Sequence, residues 1–264
     1  MQAIDNMKIS KELKDFFLEG YKMYVPNVYI DCVIFGYHDQ QLKILLAKNG
    51  FVKEWRLPGG YIKRGETLQQ AADRTIIERT GIKNLYLQQF RAFGDPNRNR
   101  YKDFDEQQWF ELTGFKLKKE NWLLDQTVSI GFYAITDFLK SVLSPDPESI
   151  ECAWFDLEGL PTLGFDHNEI VSDALKVMKM QIYHMPIGYN MLPEMFTLAE
   201  IHSLYEALLG KKVDVSNFAK KLIVLGILEK TSEKRKTSGH RSPLLFKFNE
   251  EKYVAALKEG VTFM

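Results

Sequence analysis

The sequence contains little cysteine: Cys32 and Cys152 are the only two, and each lies in an apolar run without a nearby cysteine or histidine. This spacing excludes a disulfide framework and a zinc site, so we expect two reduced core residues. The chain also lacks any apolar run of about 18 residues and any signal-peptide layout at its start. We therefore expect a cytoplasmic protein that does not enter a membrane.

A net charge is also missing, because 35 basic residues balance 35 acidic ones. The balance hides an uneven distribution: residues 211–247 contain ten basic residues and three acids, a local charge of +7. A basic block of this size is typical of a surface that binds a phosphate backbone. The alternative is a solvated charge run on a small interaction domain.

The length of 264 residues and the hydrophobic content of 45% fit two globular domains. Two prolines and a glycine interrupt the helical pattern from Pro186 to Pro193. We place the domain boundary there and predict one domain at residues 1–190 and a second at residues 191–264.

The pattern of the first domain predicts an α/β fold, a mixed sheet flanked by helices. Helices are expected at 8–18, 67–80 and 169–182, and strands at 28–37, 41–47, 85–93, 128–136 and 152–157. Residues 95–126 are polar and contain aromatic side chains, and they interrupt this order. We interpret them as an insertion with a short helix or hairpin of its own.

The most specific motif runs from Gly60 to Ile82. Gly60 is followed after five residues by Glu66 and after seven more by Arg74, and then by Ile76, Glu78, Gly81 and Ile82 in register. Together with the preceding Leu57-Pro58-Gly59, this spacing resembles the Nudix box, the loop-helix-loop that cleaves phosphate compounds. An ordinary amphipathic helix after a glycine-rich turn is the alternative, since apolar residues recur at four-residue spacing.

Two of the three helix glutamates of the box are replaced, by Thr75 and Arg79, and only Glu78 remains. At about 100° per residue, positions 75, 78 and 79 lie within an arc of roughly 100°, where three carboxylates would share divalent cations. Magnesium prefers oxygen ligands, and a guanidinium a few ångströms away repels it by several kcal/mol even at an effective dielectric of about 20. We therefore predict a Nudix fold without catalytic or metal-binding residues and without a cofactor.

The same cleft remains suited to binding a small-molecule effector. The residues that we assign to effector binding lie in the loop and helix of the box: Arg56, Gly59, Gly60, Glu66, Arg74 and Glu78. The alternative is a magnesium-dependent Nudix hydrolase of a nucleoside diphosphate derivative, in which Asp103, Asp105 or Glu106 of the insertion replaces the missing ligands. The Arg74 and Glu78 side chains are four residues apart, so they also fit a structural pair on the helix.

The second domain predicts a winged helix-turn-helix. An apolar stripe from Leu198 to Leu209 ends at Gly210, and a second helix, capped by Asp214 or Ser216, ends at Gly226. We expect Phe218, Leu222 and Leu225 to face inward. Strands at 227–230 and 244–248 then flank a charged loop.

The second helix of such a domain enters the major groove of DNA, and the hairpin contacts the backbone. We assign base and phosphate contacts to the start of the second helix, at Ser216, Asn217, Lys220 and Lys221. Positioning contacts are assigned to the wing, at Lys234, Arg235, Lys236, His240 and Arg241.

The two halves together resemble the Nudix-related transcriptional regulators. The resemblance rests on the altered box and on residues 160–171, 186–210 and 217–231. It implies a homodimer that binds a double-stranded DNA operator and senses a sugar or an ADP-ribose-like nucleotide without needing to hydrolyse it. The chain looks closer to the sugar-responsive branch, which regulates carbohydrate metabolism. Its Ser216-Asn217-Phe218-Ala219 departs from the family's frequent Arg-Asn-Phe-Arg run, so the operator sequence is not transferable.

Overall fold

The computed structural model describes residues 11–49, 54–83, 85–98, 106–118, 120–136, 138, 149–182, 188–189, 191–212, 215–236 and 242–259. Within these ranges, no helix has both the length and the hydropathy that crossing a bilayer requires.

The N-terminal part is built on a mixed sheet of six strands. They are β1 (Tyr24–His38), β2 (Gln41–Asn49), β3 (Gly59–Lys63), β4 (Leu87–Phe93), β5 (Val128–Ile135) and β6 (Ser149–Asp156). The order is β4-β5-β1-β2-β6, and β3 pairs with the first half of β1. β1 and β5 run parallel, whereas the other paired strands run antiparallel. The predicted mixed sheet is therefore confirmed.

Helices cover both faces of this sheet. Successive residues of β1 point to opposite faces, so alternate residues pack against different helices. Ile30, Cys32 and Ile34 face α2 (Leu68–Thr80), which carries the box. Val33 and Phe35 face α4 (His167–Gln181). The predicted limits of α2 agree with its capping: Thr67 and Gln70 form a capping box, and Gly81 follows with a left-handed φ of 77°.

The insertion packs beside the first helix, α1 (Lys11–Met23). It contains a 3-10 turn at Pro96–Arg98 and the short helix α3 (Glu106–Thr113), as expected. Aromatic side chains of the insertion surround Phe17 of α1 in a small apolar cluster: Trp109, Phe115 and Trp122. Insertion and α1 therefore form one packed unit at the edge of the box loop.

The C-terminal part is a winged helix, as predicted. It consists of α5 (Leu198–Leu209), α6 (Val215–Val224), β7 (Leu228–Lys234), β8 (Leu244–Phe248) and α7 (Glu250–Glu259). α5 packs against β2, and its buried residues share one apolar core with α4 and with the α4 face of the sheet. The predicted boundary after residue 190 stays a prediction, and this core extends across it.

Two local predictions were wrong, and one helix was missed. Gly59 and Gly60 belong to strand β3 and not to a loop, because they pair with β1 although they lack the apolar alternation of a strand. Leu225 is 40% exposed because α6 ends before it, and Ile227 is the residue that is buried instead. Helix α7 was not predicted; among its side chains that the structure describes, Tyr253 and Ala256 are buried in the main core. Asp214 and the side chains of Ser216 and Phe218 lie outside the described residues.

Candidate functional site

Helix α2 places Arg74 between the two retained acids of the box. Arg74 donates to Glu66 from Nε (2.6 Å) and Nη2 (2.9 Å), and to Glu78 Oε2 from Nη1 (2.8 Å). These hydrogen bonds lower the pKa of Glu66. Lys63 Nζ lies 3.4 Å from Glu78 Oε1. Both carboxylates are thus paired with cations of the protein, and the predicted Arg74–Glu78 pair is confirmed.

The side chains at the two substituted positions meet the two glycines that begin strand β3. Thr75 is fully buried and its Oγ1 has no hydrogen-bond partner, while a Cβ added to Gly60 would lie 2.9 Å from that oxygen. Arg79 Nε donates to the carbonyl oxygen of Gly59 over 3.1 Å. The threonine is therefore directed at the start of β3, and the arginine donates a hydrogen bond to it.

Magnesium, which the fold family implies, does not fit this donor set. Glu78 is the one carboxylate among the three helix positions, and it is already bound to two cations. Arg79 adds a positive charge where a metal needs an acid. Among the described residues, no three metal-ligating side chains cluster. Of the alternative ligands, Glu106 begins α3 as an exposed residue, whereas Asp103 and Asp105 lie outside the described ranges.

The other two predicted effector residues are Gly59, which begins β3, and Arg56, which precedes it in the chain. Gly59 is closely packed, because an added Cβ would stand 2.5 Å from the Tyr29 ring and 2.7 Å from the Ile30 carbonyl oxygen. Arg56 pairs with Ala47 through an isolated bridge, and its guanidinium lies 5.8 Å from the centre of the Phe165 ring. The structure thus brings Gly59, Gly60, Glu66, Arg74 and Glu78 together, and places Arg56 against Phe165.

A buried charged cluster on the α4 face of the sheet was not predicted from the sequence. Arg98, from the insertion, donates to Asp166 over 2.8 and 3.0 Å and lies 3.5 Å from Asp31. Ser129 donates to Asp31 over 2.6 Å. Burial opposes the charge of Arg98, but the two aspartates outweigh it and raise its pKa. The sequence contained one indication of this cluster. Asp31 lies within the apolar run IDCVIF, on the same side of the strand as the buried Val33, and a charge buried there needs a partner.

His167 connects this cluster to the box loop. Its Nδ1 accepts a hydrogen bond from the backbone N–H of Leu57 over 2.9 Å, so a neutral ring carries its proton on Nε2. That nitrogen lies 3.3 Å from Asp31 Oδ1. The loop, the central strand β1 and the first residue of α4 are therefore joined through one buried imidazole.

The residues assigned to DNA binding stay predictions, and the structure describes only part of them. Lys220, Lys234 and Lys236 are exposed, and Lys221 is half-buried. Arg235 Nη2 donates to Glu200 over 2.8 Å, which joins the wing to the first turn of α5. We therefore assign Arg235 first to positioning the wing. Ser216 and Asn217 lie in α6 with their side chains outside the described residues, and His240 and Arg241 also lie outside them.

Residues 26–174 match the Nudix domain family, and residues 188–248 match the NrtR DNA-binding winged helix domain. The chain belongs to the Nudix family. The first match agrees with the box geometry around α2, and the second agrees with the helix-turn-helix and its wing.

The chain is similar to three proteins that bear on its function. The chain is 26% identical over 235 residues to the ADPR responsive transcriptional repressor NtrR of Acinetobacter baylyi, covering 86% of this chain and 84% of that protein. It is 29% identical over 170 residues to an ADP-ribose pyrophosphatase of Methanocaldococcus jannaschii, covering 63% and 83% respectively. The crystal structure of Shewanella oneidensis NrtR complexed with a 27mer DNA shares 25% identity and a TM-score of 0.64, covering 86% of this chain and 95% of that one.

Proposed function

We propose that this protein is a DNA-binding transcriptional regulator whose Nudix domain senses a small molecule without hydrolysing it. The observation that carries the proposal is the altered box: Thr75 and Arg79 replace two metal-binding acids in a chain that also has a winged helix. Likeness to a transcriptional repressor and to a protein crystallised with DNA supports the same conclusion. Such a regulator would act in the cytoplasm.

The effector that we propose is ADP-ribose or a closely related nucleotide sugar. The support is the similarity to an ADPR responsive repressor over most of both chains. A sugar such as arabinose, in the regulation of carbohydrate metabolism, is the second candidate. The two differ in charge, because only the nucleotide carries a diphosphate.

We propose that the regulator acts as a homodimer. A dimeric helix-turn-helix protein meets two half-sites about 34 Å apart, so a modest change in the spacing of its recognition helices alters its affinity for the operator. The effector moves this equilibrium only by its different affinities for the two arrangements.

Helix α4 offers a route from the cleft to the winged helix. Its first residue, His167, holds the box loop through Leu57. Met178, in its last turns, and Ile182, directly after it, are buried in the apolar core that also contains α5. A Cβ added to Gly210, at the end of α5, would lie 3.3 Å from Lys179 Nζ, so α4 also approaches the winged helix through a side chain. A shift of the loop would therefore displace α5.

The test is operator binding by the full chain with and without effector. Fragments bound by the protein are first selected from genomic DNA, and affinity is then measured with ADP-ribose, AMP or arabinose present. We expect ADP-ribose to change the affinity by roughly 5- to 150-fold, the usual range of allosteric coupling. Unchanged affinity with every compound would remove the sensory role.

The hydrolase alternative keeps two observations in its favour: Glu78 is retained, and one relative is an ADP-ribose pyrophosphatase. Turnover of ADP-ribose with magnesium, measured for the wild-type chain and for Glu78→Gln, distinguishes the two functions. We expect no turnover in either. Hydrolysis at an ordinary enzymatic rate that Glu78→Gln abolishes would establish the enzyme.

A further inference from the structure

The chain enters helix α4 through a strained backbone conformation. Phe165, two residues before the helix, has a φ of 59°, in the left-handed region that glycine favours. A bulky residue is rare there, because its Cβ lies too close to a backbone carbonyl, and it persists only where surrounding contacts hold it. The contacts of the neighbouring residues therefore decide whether this conformation is kept.

Asp166 stands directly before α4, and its side chain does not cap the helix. An aspartate at this position usually accepts a hydrogen bond from a backbone N–H group of the first turn. Here its carboxylate accepts instead from Arg98, from Nε over 2.8 Å and from Nη2 over 3.0 Å. The Arg98 side chain is 5% exposed and belongs to the insertion. A segment distant in the sequence thus holds a carboxylate that is able to cap α4.

The same segment contacts the residues that lead into strand β3. The Arg56 guanidinium lies 5.8 Å from the centre of the Phe165 ring, and His167 Nδ1 accepts from the backbone N–H of Leu57 over 2.9 Å. At its other end, α4 shares the apolar core with α5 of the winged helix. A change of conformation where α4 begins would therefore reach both the box and the DNA-binding part.

We propose that the α4 entry, residues 165–167, is a two-state element that the Arg98–Asp166 ion pair holds in its strained arrangement. In the second arrangement Asp166 leaves Arg98 and caps the first turn of α4, and Phe165 returns to a negative φ. Backbone strain and the missing cap favour the second arrangement, whereas the ion pair opposes it. This inference rests on the proposed function and deepens it, because it names the element through which an effector changes operator affinity.

Substitutions on the two sides of this balance test it. Phe165→Asn and Phe165→Val both remove the ring, but asparagine tolerates a left-handed φ and the β-branched valine does not. Phe165→Val should therefore favour the second arrangement relative to Phe165→Asn. Arg98→Lys keeps the charge but loses the paired donors, so it should favour the second arrangement relative to the wild type. The matched control is Arg91→Lys, since Arg91 binds α4 at Asp173 and not at its entry.

The measurements are the dissociation constants of the full chain for the selected operator and for ADP-ribose. Without effector, Arg98→Lys should change operator affinity about fivefold or more, the lower limit of allosteric coupling, and Arg91→Lys should not change it. Phe165→Val should differ from Phe165→Asn in the same direction. Linkage fixes the sign for ADP-ribose: if it weakens operator binding by the wild type, a variant that binds the operator more tightly must bind ADP-ribose less tightly. If it strengthens operator binding, both affinities must move together.

The outcomes separate this inference from the proposed function. Equal operator affinity in Arg98→Lys and the wild type, or in the two Phe165 variants, would overturn the role of the α4 entry and leave the regulator intact. Shifts in opposite directions would also overturn it. If ADP-ribose leaves the wild type unchanged, that effector is rejected, while shared operator shifts of Arg98→Lys and Phe165→Val still support the α4 entry. A wild type that binds no DNA rejects both. Should Arg98→Lys fail to fold, the two Phe165 variants decide.

Discussion

Replacing Arg98 with methionine tests whether the buried cluster holds the insertion to the sheet. Arg98 lies between Asp31 and Asp166, and its side chain is 5% exposed. Methionine fills a similar volume without charge. The substitution therefore leaves both carboxylates in place and removes the cation that pairs with them.

The expected cost follows from burial. Asp31 is 1% exposed, so when Arg98 is removed water cannot replace the lost cation, although Ser129 still donates to the carboxylate. Asp166, at 15% exposure, is partly accessible to water. Removing one partner of a buried ion pair costs about 3–5 kcal/mol. That loss is a large part of the roughly 5–15 kcal/mol by which domains are stable. Adding Asp31→Asn removes the stranded charge and should restore on the order of 2 kcal/mol.

The assay is urea denaturation of the wild type, Arg98→Met and the double variant, followed by circular dichroism. Arg91→Met is the control, because Arg91 is 54% exposed and its ion pair should contribute at most about 1 kcal/mol. Equal losses for Arg98→Met and Arg91→Met would refute the reasoning. A double variant less stable than Arg98→Met would also refute it, since the aspartate would then not be the source of the cost.

Further measurements test other parts of the molecule. The lowered pKa of Glu66 contributes stability that is present above its ordinary pKa of 4.5 and is lost as the pH falls through the folded value, so Glu66→Gln should flatten urea stability between about pH 6 and pH 3. Replacing Lys220 and Lys221 with alanine should weaken operator binding and reduce its salt slope by about 0.9 for each phosphate that is no longer neutralised; an unchanged slope would reject that surface. Burial raises the pKa of Cys32 well above its usual range and that of Cys152 to about 12, so neither thiol should react with a thiol reagent at neutral pH until the protein unfolds.

The elements that were predictable are those whose signals are local. Helix α2 begins after Thr67 and ends before Gly81, and both caps are set by residues within four positions of the helix ends. Helix α5 ends in the same way, at Gly210. The Arg74–Glu78 pair could also be predicted from the sequence, because the two residues lie one turn apart on one helix.

The elements that were missed depend on distant partners. Strand β3 forms because Gly59 and Gly60 pair with Asp31 and Ile30 of β1, which are distant from them in the sequence. Arg98 is separated from Asp31 by 67 residues and from Asp166 by 68, and no local pattern connects them. A basic residue in a polar insertion is usually solvated, so only the packed structure distinguishes Arg98 from an exposed arginine.

The division between retained and replaced box residues has a structural explanation. Glu66 and Glu78 each bind Arg74, so replacing either one would leave a half-buried guanidinium with fewer partners. Arg74 does not pair with the residues at positions 75 and 79. Thr75 is buried at the first position, and Arg79 donates a hydrogen bond to the Gly59 carbonyl oxygen at the second. In an intact box, acids at these two positions would serve as metal ligands. A Nudix domain that binds without cleaving can therefore lose those two acids and keep its fold, whereas the loss of Glu66 or Glu78 would remove hydrogen bonds that hold Arg74 in place.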